Sequence, residues 1–228
     1  MPHKGFRKRA HRALEDTNLQ EALRRATHSF DTRRAGALAS LENSEALRDQ
    51  ASKIRSQTMT QIDRHLATLT EQVKARGGTV HFCDNPEAVR QTVLEISEKR
   101  GRPSIIKSKS MATEEIHLNT ALEAAGLTTV ETDLGEWILQ LVGEPPSHLI
   151  APAIHKTTEQ IADIFHEKFG VSLPPTENEA MTAFARSKLR EAFLTAGIGI
   201  SGVNFAIAET GTVVLVTNEG NGRLSTSA

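Results

Sequence analysis

The chain has 228 residues, 38% of them hydrophobic, and a formal net charge of −1, a balance that points to one globular α/β domain with an appendage. No run approaches the roughly 18 apolar residues of a membrane span, and the opening MPHKGFRKRAHRALED lacks the apolar stretch of a secretory signal, so a soluble cytoplasmic protein is expected. Cys83 is the single cysteine, which excludes an intrachain disulfide framework and any zinc or iron–sulfur site whose cysteine ligands all come from these residues.

Charge is unevenly spread. Residues 1–34 hold nine Lys or Arg against four acids, a formal +5, while the remainder carries −6. With Phe6 and Phe30 as its only aromatics, this basic arm has no stacking pattern for bases. Docking on an acidic partner or on its own domain suits it better than nucleic acid. After the arm, Leu47, Ala51, Ile54, Thr58, Ile62, Leu66, Leu69 and Val73 recur at helical spacing, predicting one long helix capped by Asn43 or Ser44 and stopped at Gly77-Gly78. Residues 1–77 are therefore read as a helical arm, and 78–228 as the α/β domain.

From Thr79 the texture alternates between short apolar runs and helix-period segments. TVHFC (79–83), PSIIKS (103–108), TTVET (128–132) and HLIAPAI (148–154) read as strands. Between them, Asn85-Pro86 opens a helix, Thr113 is placed to cap another, and Asp133 with Glu136 has capping-box spacing. Thr157 with Gln160 makes a further capping box, and a helix from about Glu177 to Thr195 leads into two final strands interrupted at Glu209-Thr210-Gly211. This order predicts a mainly parallel sheet with helices on both faces.

In such sheets ligands sit beyond the carboxyl ends of the strands. That rule selects Lys107 and Lys109, flanked by Ser108 and Ser110, as an anion cradle; solvated loop lysines are the alternative. His155 and Lys156 could form an acid–base pair or an anion clamp, or could be structural. Asp133 and Glu136 are explained by capping alone. Glu209 puts a carboxylate at a turn between apolar strands, which nominates it as a catalytic base or nucleophile, with Thr210 beside it. Asn218, Glu219, Asn221 and Arg223, interleaved with Gly220 and Gly222, have the makings of an anion nest or of a solvent-facing turn. No dinucleotide or Walker fingerprint is present, and no metal site is expected within the chain.

The strings SKSMATEEIHLN, VETDLGEWILQL, GEPPSHLIAPAIHK and NFAIAETGTVVLVTNEGNGRLST closely resemble the lactate-utilization (LUD) family, specifically its iron–sulfur B-subunit type, LutB. The resemblance runs across nearly the whole chain. It implies a fold like that of ribose-5-phosphate isomerase and the CoA transferases. It also implies a role beside A and C subunits in oxidising L-lactate to pyruvate, with [4Fe-4S] clusters held in a cysteine-rich C-terminal region of the full-length family protein. This sequence would then be the LUD module without that region and without a redox centre of its own, docking partners or binding a small hydroxy- or oxo-acid. Two other readings stand beside it. One is an isomerase- or transferase-like enzyme on a phosphorylated or CoA-linked substrate; the other is a docking module without chemistry.

Overall fold

The computed structural model describes residues 5–148, 150–217 and 219–227. Among its described residues the arm is four helices separated by short breaks: α1 (Phe6–Glu15), α2 (Thr17–Ala39), α3 (Ser44–Thr60) and α4 (Ile62–Ala75). Asp16 caps α2, its side chain accepting from the Leu19 N–H at 3.0 Å. The long helix expected over this region is thus two helices, interrupted at Gln61 where φ is −130° and ψ 26°. None of the four contributes a buried residue, and Leu47, Ile54 and Met59 stand at least half exposed along α3. A helical stripe without a covering layer has nothing to hold it straight across a weak turn.

After the arm comes α5 (Pro86–Lys99), capped by Asn85. Then come β1 (Ile105–Lys107), α6 (Met111–Glu115), α7 (Leu118–Ala124), β2 (Thr129–Glu131), α8 (Leu134–Val142), α9 (Thr158–Phe169), α10 (Asn178–Thr195) and β3 (Ile198–Ile200). The three strands form one parallel sheet in the order β2-β1-β3, with Ile105 opposite both Thr129 and Ile198. β4 (Phe205–Ile207) and β5 (Thr212–Val214) make a separate antiparallel hairpin, and α11 (Asn221–Ser227) follows. The architecture is the expected mixed α/β one, a parallel sheet flanked by helices and preceded by a helical arm.

Two apolar clusters hold the sheet. Trp137, Ile138, Phe165, Met181, Ala185 and Leu189 join α8, α9 and α10, with Val130 of β2 packed against them. Ile105, Leu118, Leu122 and Leu127 form the second cluster, with Val93 and Leu94 of α5 and Ile198 of β3. Trp137 lies 5.7 Å from Phe165 and 5.9 Å from Phe169, centroid to centroid, the spacing at which offset aromatic pairs attract.

Further local readings differ from the structure, among them the two final strands, which are three, β3, β4 and β5. Residues 79–83 form no strand: Phe82 is 67% exposed, with no neighbouring strand to pair the segment. Nor do the described residues of 148–154, which turn back on themselves, the Ser147 N–H donating to Pro152 O and that of Ile154 to Ala151 O; Leu149 lies outside the described residues. Proline inside an apolar run removes a ladder donor and favours such a turn. The expected single helix after Ser110 is broken at His117, whose φ is +51°. Finally, Ser110 and not Thr113 caps α6: Thr113 lies within the helix, and its N–H is the group that the Ser110 hydroxyl accepts from.

Candidate functional site

β1 and β2 end in charged residues, and their parallel register sets Lys107 directly opposite Glu131. Alternation along β1 puts Lys107 on the same face as the core residue Ile105, so the ammonium is driven inward, with no exposed surface. Its three hydrogens meet three acceptors at 2.9 Å: Thr113 Oγ1, Glu114 Oε1 and Glu131 Oε1. Burial works against the charge, but the carboxylates of Glu131 and Glu114 outweigh it, and the Lys107 ammonium is held above its ordinary range. An ammonium offers three donors and no acceptor. Lys107 is therefore saturated by its own protein, and the anion cradle expected of it is already filled from within.

Glu131 receives a second donor on the same oxygen, from Asn119 Nδ2. Gln140 of α8 clamps the outer edge of β2, donating to Thr129 O at 2.8 Å and accepting from the Glu131 N–H at 3.0 Å. Asp133 caps α8, its Oδ1 accepting from the Glu136 N–H at 3.2 Å. Its other oxygen takes Lys109 Nζ at 3.2 Å, and Lys109 also donates to Ile150 O at 2.8 Å. Glu136 is buried on the first turn of α8. Desolvation, reinforced by Glu131, pushes its carboxyl up to about 8, against the pull of Lys107.

A seam of hydroxyls completes the strand ends. Thr132 donates to Lys107 O through both its N–H, at 2.8 Å, and its hydroxyl, at 2.9 Å. That hydroxyl lies 3.2 Å from Ser225 Oγ and accepts from Asn221 Nδ2 at 3.4 Å. On the other side of β1, Ser108 donates to Ser201 Oγ at 2.7 Å. α11 is seated here by close approach: a Cβ on Gly199 would stand 1.6 Å from Ser225 O. Glu219 Oε2 accepts the Leu134 N–H at 3.3 Å. Partial desolvation and the neighbouring Asp133 push the Glu219 carboxyl upward.

The expected site residues thus divide. Lys107, Lys109, Glu219 and Asn221 converge on the strand ends, whereas Arg223 lies exposed on α11 and Asn218 falls outside the described residues. His155 and Lys156 belong to a different cluster. His155 Nδ1 is 2.6 Å from Ser147 Oγ, while its Nε2 and Lys156 Nζ reach the two oxygens of Glu144 at 3.0 and 2.7 Å. Lys156 above all, and then His155, hold the Glu144 carboxyl below its ordinary range. Glu209 and Thr210 occupy the exposed turn between β4 and β5, where Thr210 donates to Thr212 Oγ1 at 2.8 Å. Gly211 of that turn sits against Gln72 and Val73 of α4 and not against the sheet ends.

Glu131, Glu114 and Asn119 were not anticipated. Their signal was a carboxylate closing a β-branched run and two polar groups on consecutive short helices. Its meaning depends on which strand lies next to β1.

Residues 66–228 match the family model described as the LUD domain. The chain belongs to the LUD domain family. Among its relatives, the Lactate utilization protein B of Bacillus pumilus (strain SAFR-032) is 46% identical over 225 residues, covering 98% of this chain and 47% of the relative. That of Shouchella clausii (strain KSM-K16) is 44% identical over 97% of this chain and 47% of its own. The "Uncharacterized electron transport protein YkgF" of Escherichia coli (strain K12) is 44% identical over 97% of this chain and 46% of its own. The chain spans about half the length of these relatives. No solved structure matches it.

The LUD match takes in every residue of the strand-end cluster, together with most of α4. A [4Fe-4S] cluster draws on four cysteine thiolates in the usual case, and these 228 residues supply Cys83 alone, so the LUD residues present here do not fit that group. Among the described residues, no group of three or more His, Cys, Asp or Glu is placed to hold a metal ion. No helix of the described residues is long and apolar enough to cross a membrane.

Proposed function

We propose that this chain is the LUD module of a lactate-utilization protein of the B type. In this reading it works with A and C subunits in the oxidation of L-lactate to pyruvate, a removal of two electrons and two protons. The electrons leave through [4Fe-4S] clusters ligated by sequence other than these residues. The observation that carries the reading is the 43–46% identity, over nearly the entire chain, to several proteins named Lactate utilization protein B. Within the module, Lys109 is the cation that suits a small carboxylate. Its side chain keeps 27% of its exposure, and two of its three hydrogens are spent, on Asp133 and Ile150 O. Lys107 instead sets the geometry from beneath.

The test is co-expression with A- and C-type subunits, followed by affinity capture on this chain and titration of the captured complex with L-lactate and with pyruvate by calorimetry. Co-elution together with saturable binding that Lys109→Ala weakens supports the reading. A chain that elutes alone and shows no heat with either acid overturns it.

A further inference from the structure

Glu131 and Glu136 are among the least exposed charged residues of the molecule, at 4% and 7%. Both Lys107 and Asn119 donate to the same oxygen of Glu131, Oε1, and Oε2 is left buried with no partner. On Glu136, too, Oε2 is buried and without a partner. Glu136 stands one turn before Gln140 on α8, on the helix face that Gln140 fastens to β2 through the Glu131 N–H and Thr129 O, so the two buried carboxyls are neighbours. Two ionised carboxylates so placed would repel in a dry interior, and each would keep an acceptor-only oxygen with nothing to accept. One proton removes both faults, turning two orphaned oxygens into a single O–H···O bond between a carboxylic acid and a carboxylate.

We infer that Glu131 and Glu136 hold one proton between them, a proton site that fastens the first turn of α8 to the end of β2. Lys107 fixes which partner is ionised: its ammonium faces Glu131, so Glu131 carries the charge and Glu136 the proton. The other charged groups around Glu136 are Asp133 at the cap of α8, with Lys109 paired to it, and Glu114 across Lys107 from α6. Glu219 approaches the same helix end through the Leu134 N–H. With Glu136 neutral, three carboxylates (Glu114, Glu131, Asp133) stand against two ammonium groups. Loss of the proton adds a fourth carboxylate and sets Glu136 against Glu131. The fastening is therefore pH-sensitive. It opens on the alkaline side, and the element it frees is the helix end that positions Asp133 and Lys109.

The experiment is carboxyl-detected NMR of the full chain carrying ¹³C-labelled glutamate, with pH-dependent urea denaturation of the wild type and of Glu136→Gln, which keeps a neutral hydrogen-bond donor. The expected result is a Glu136 carboxyl resonance with a midpoint near 8. The wild-type denaturation midpoint should fall from about pH 5 to pH 8 and level off above it, and that of Glu136→Gln should stay level across that range. A Glu136 resonance that titrates with the surface carboxylates overturns the inference on the wild-type protein alone. So does a Glu136→Gln chain that loses stability with pH as the wild type does.

Discussion

Lys107 and Glu131 stand opposite each other in the parallel register of β1 and β2, and their side chains meet at 2.9 Å with both residues almost wholly withdrawn from water. Neither charge would be tolerated there alone, since a bare ion in a low-dielectric interior costs far more than a surface one. Glu114, Thr113 and Asn119 serve to complete what the pair begins.

Breaking this pair from one side should be severe. Lys107→Met leaves Glu131 and Glu114 facing an apolar side chain, and the loss expected for an uncompensated buried charge is about 3–5 kcal/mol. Lys107→Met combined with Glu131→Leu removes both charges and should recover part of that loss. Chemical denaturation of the single and double variants checks this; a single variant as stable as the wild type would contradict it.

Gly199→Ala should be among the most damaging of the small substitutions. The new methyl would meet Ser225 O at 1.6 Å, a backbone atom that moves only if α11 leaves the sheet. Overpacking of this kind costs about 1–3 kcal/mol or more. Gly36→Ala on α2, where nothing lies within 4 Å, should instead be neutral or stabilising by up to ~1 kcal/mol from helix propensity. Thermal unfolding of the two variants side by side gives the contrast.

Asp133 does two jobs, capping α8 and holding Lys109. Loss of a cap costs about 0.5–2 kcal/mol. Asp133→Asn should keep the cap and weaken the hold on Lys109, while Asp133→Ala loses both. Stability should therefore rank wild type, Asn, Ala. A stability loss for Asn equal to that for Ala, read in urea midpoints, would show that the cap is not what Asp133 supplies.

The Glu144 cluster gives a pH dependence of the opposite sign to that of Glu136. A carboxyl held below its ordinary range contributes stability that is present above pH 4.5 and is lost as pH falls through its folded-state value. The Glu144 side chain is 41% exposed, so solvent screening keeps the effect below about 1 kcal/mol. The segment from Glu144 to Lys156 should loosen in acid before the sheet does. Hydrogen exchange of the Ile154 and Lys156 amides, followed from pH 6 to pH 3, measures this directly; Glu144→Gln should exchange fast at both ends of the range.

Much of the architecture was legible in short windows. The β-branched runs ending at Lys107 and Glu131, the Asp133 cap and the reciprocal Thr157–Gln160 capping box all stand where local chemistry puts them. Such signals act within three or four residues, through side chain to backbone bonds that need no other part of the chain. The misread segments, 79–83 and 148–154, are apolar runs whose fate depended on finding a partner strand; the sheet took Ile198–Ile200 beside β1 instead.

The candidate site was only half visible for the same reason. Nothing near Lys107 in sequence announces Glu131, and nothing near His155 shows that Glu144 and Ser147 will claim its ring. By itself the sequence determined the runs that became β1 and β2, the Asn85, Asp133 and Thr157 caps, the single cysteine and the strings that resemble the LUD family. The tertiary structure alone decided which strands are neighbours, and so which charges are buried together. Parallel pairing joins residues far apart in the chain, and only burial turns an ordinary lysine and two ordinary glutamates into a saturated ammonium and a shared proton.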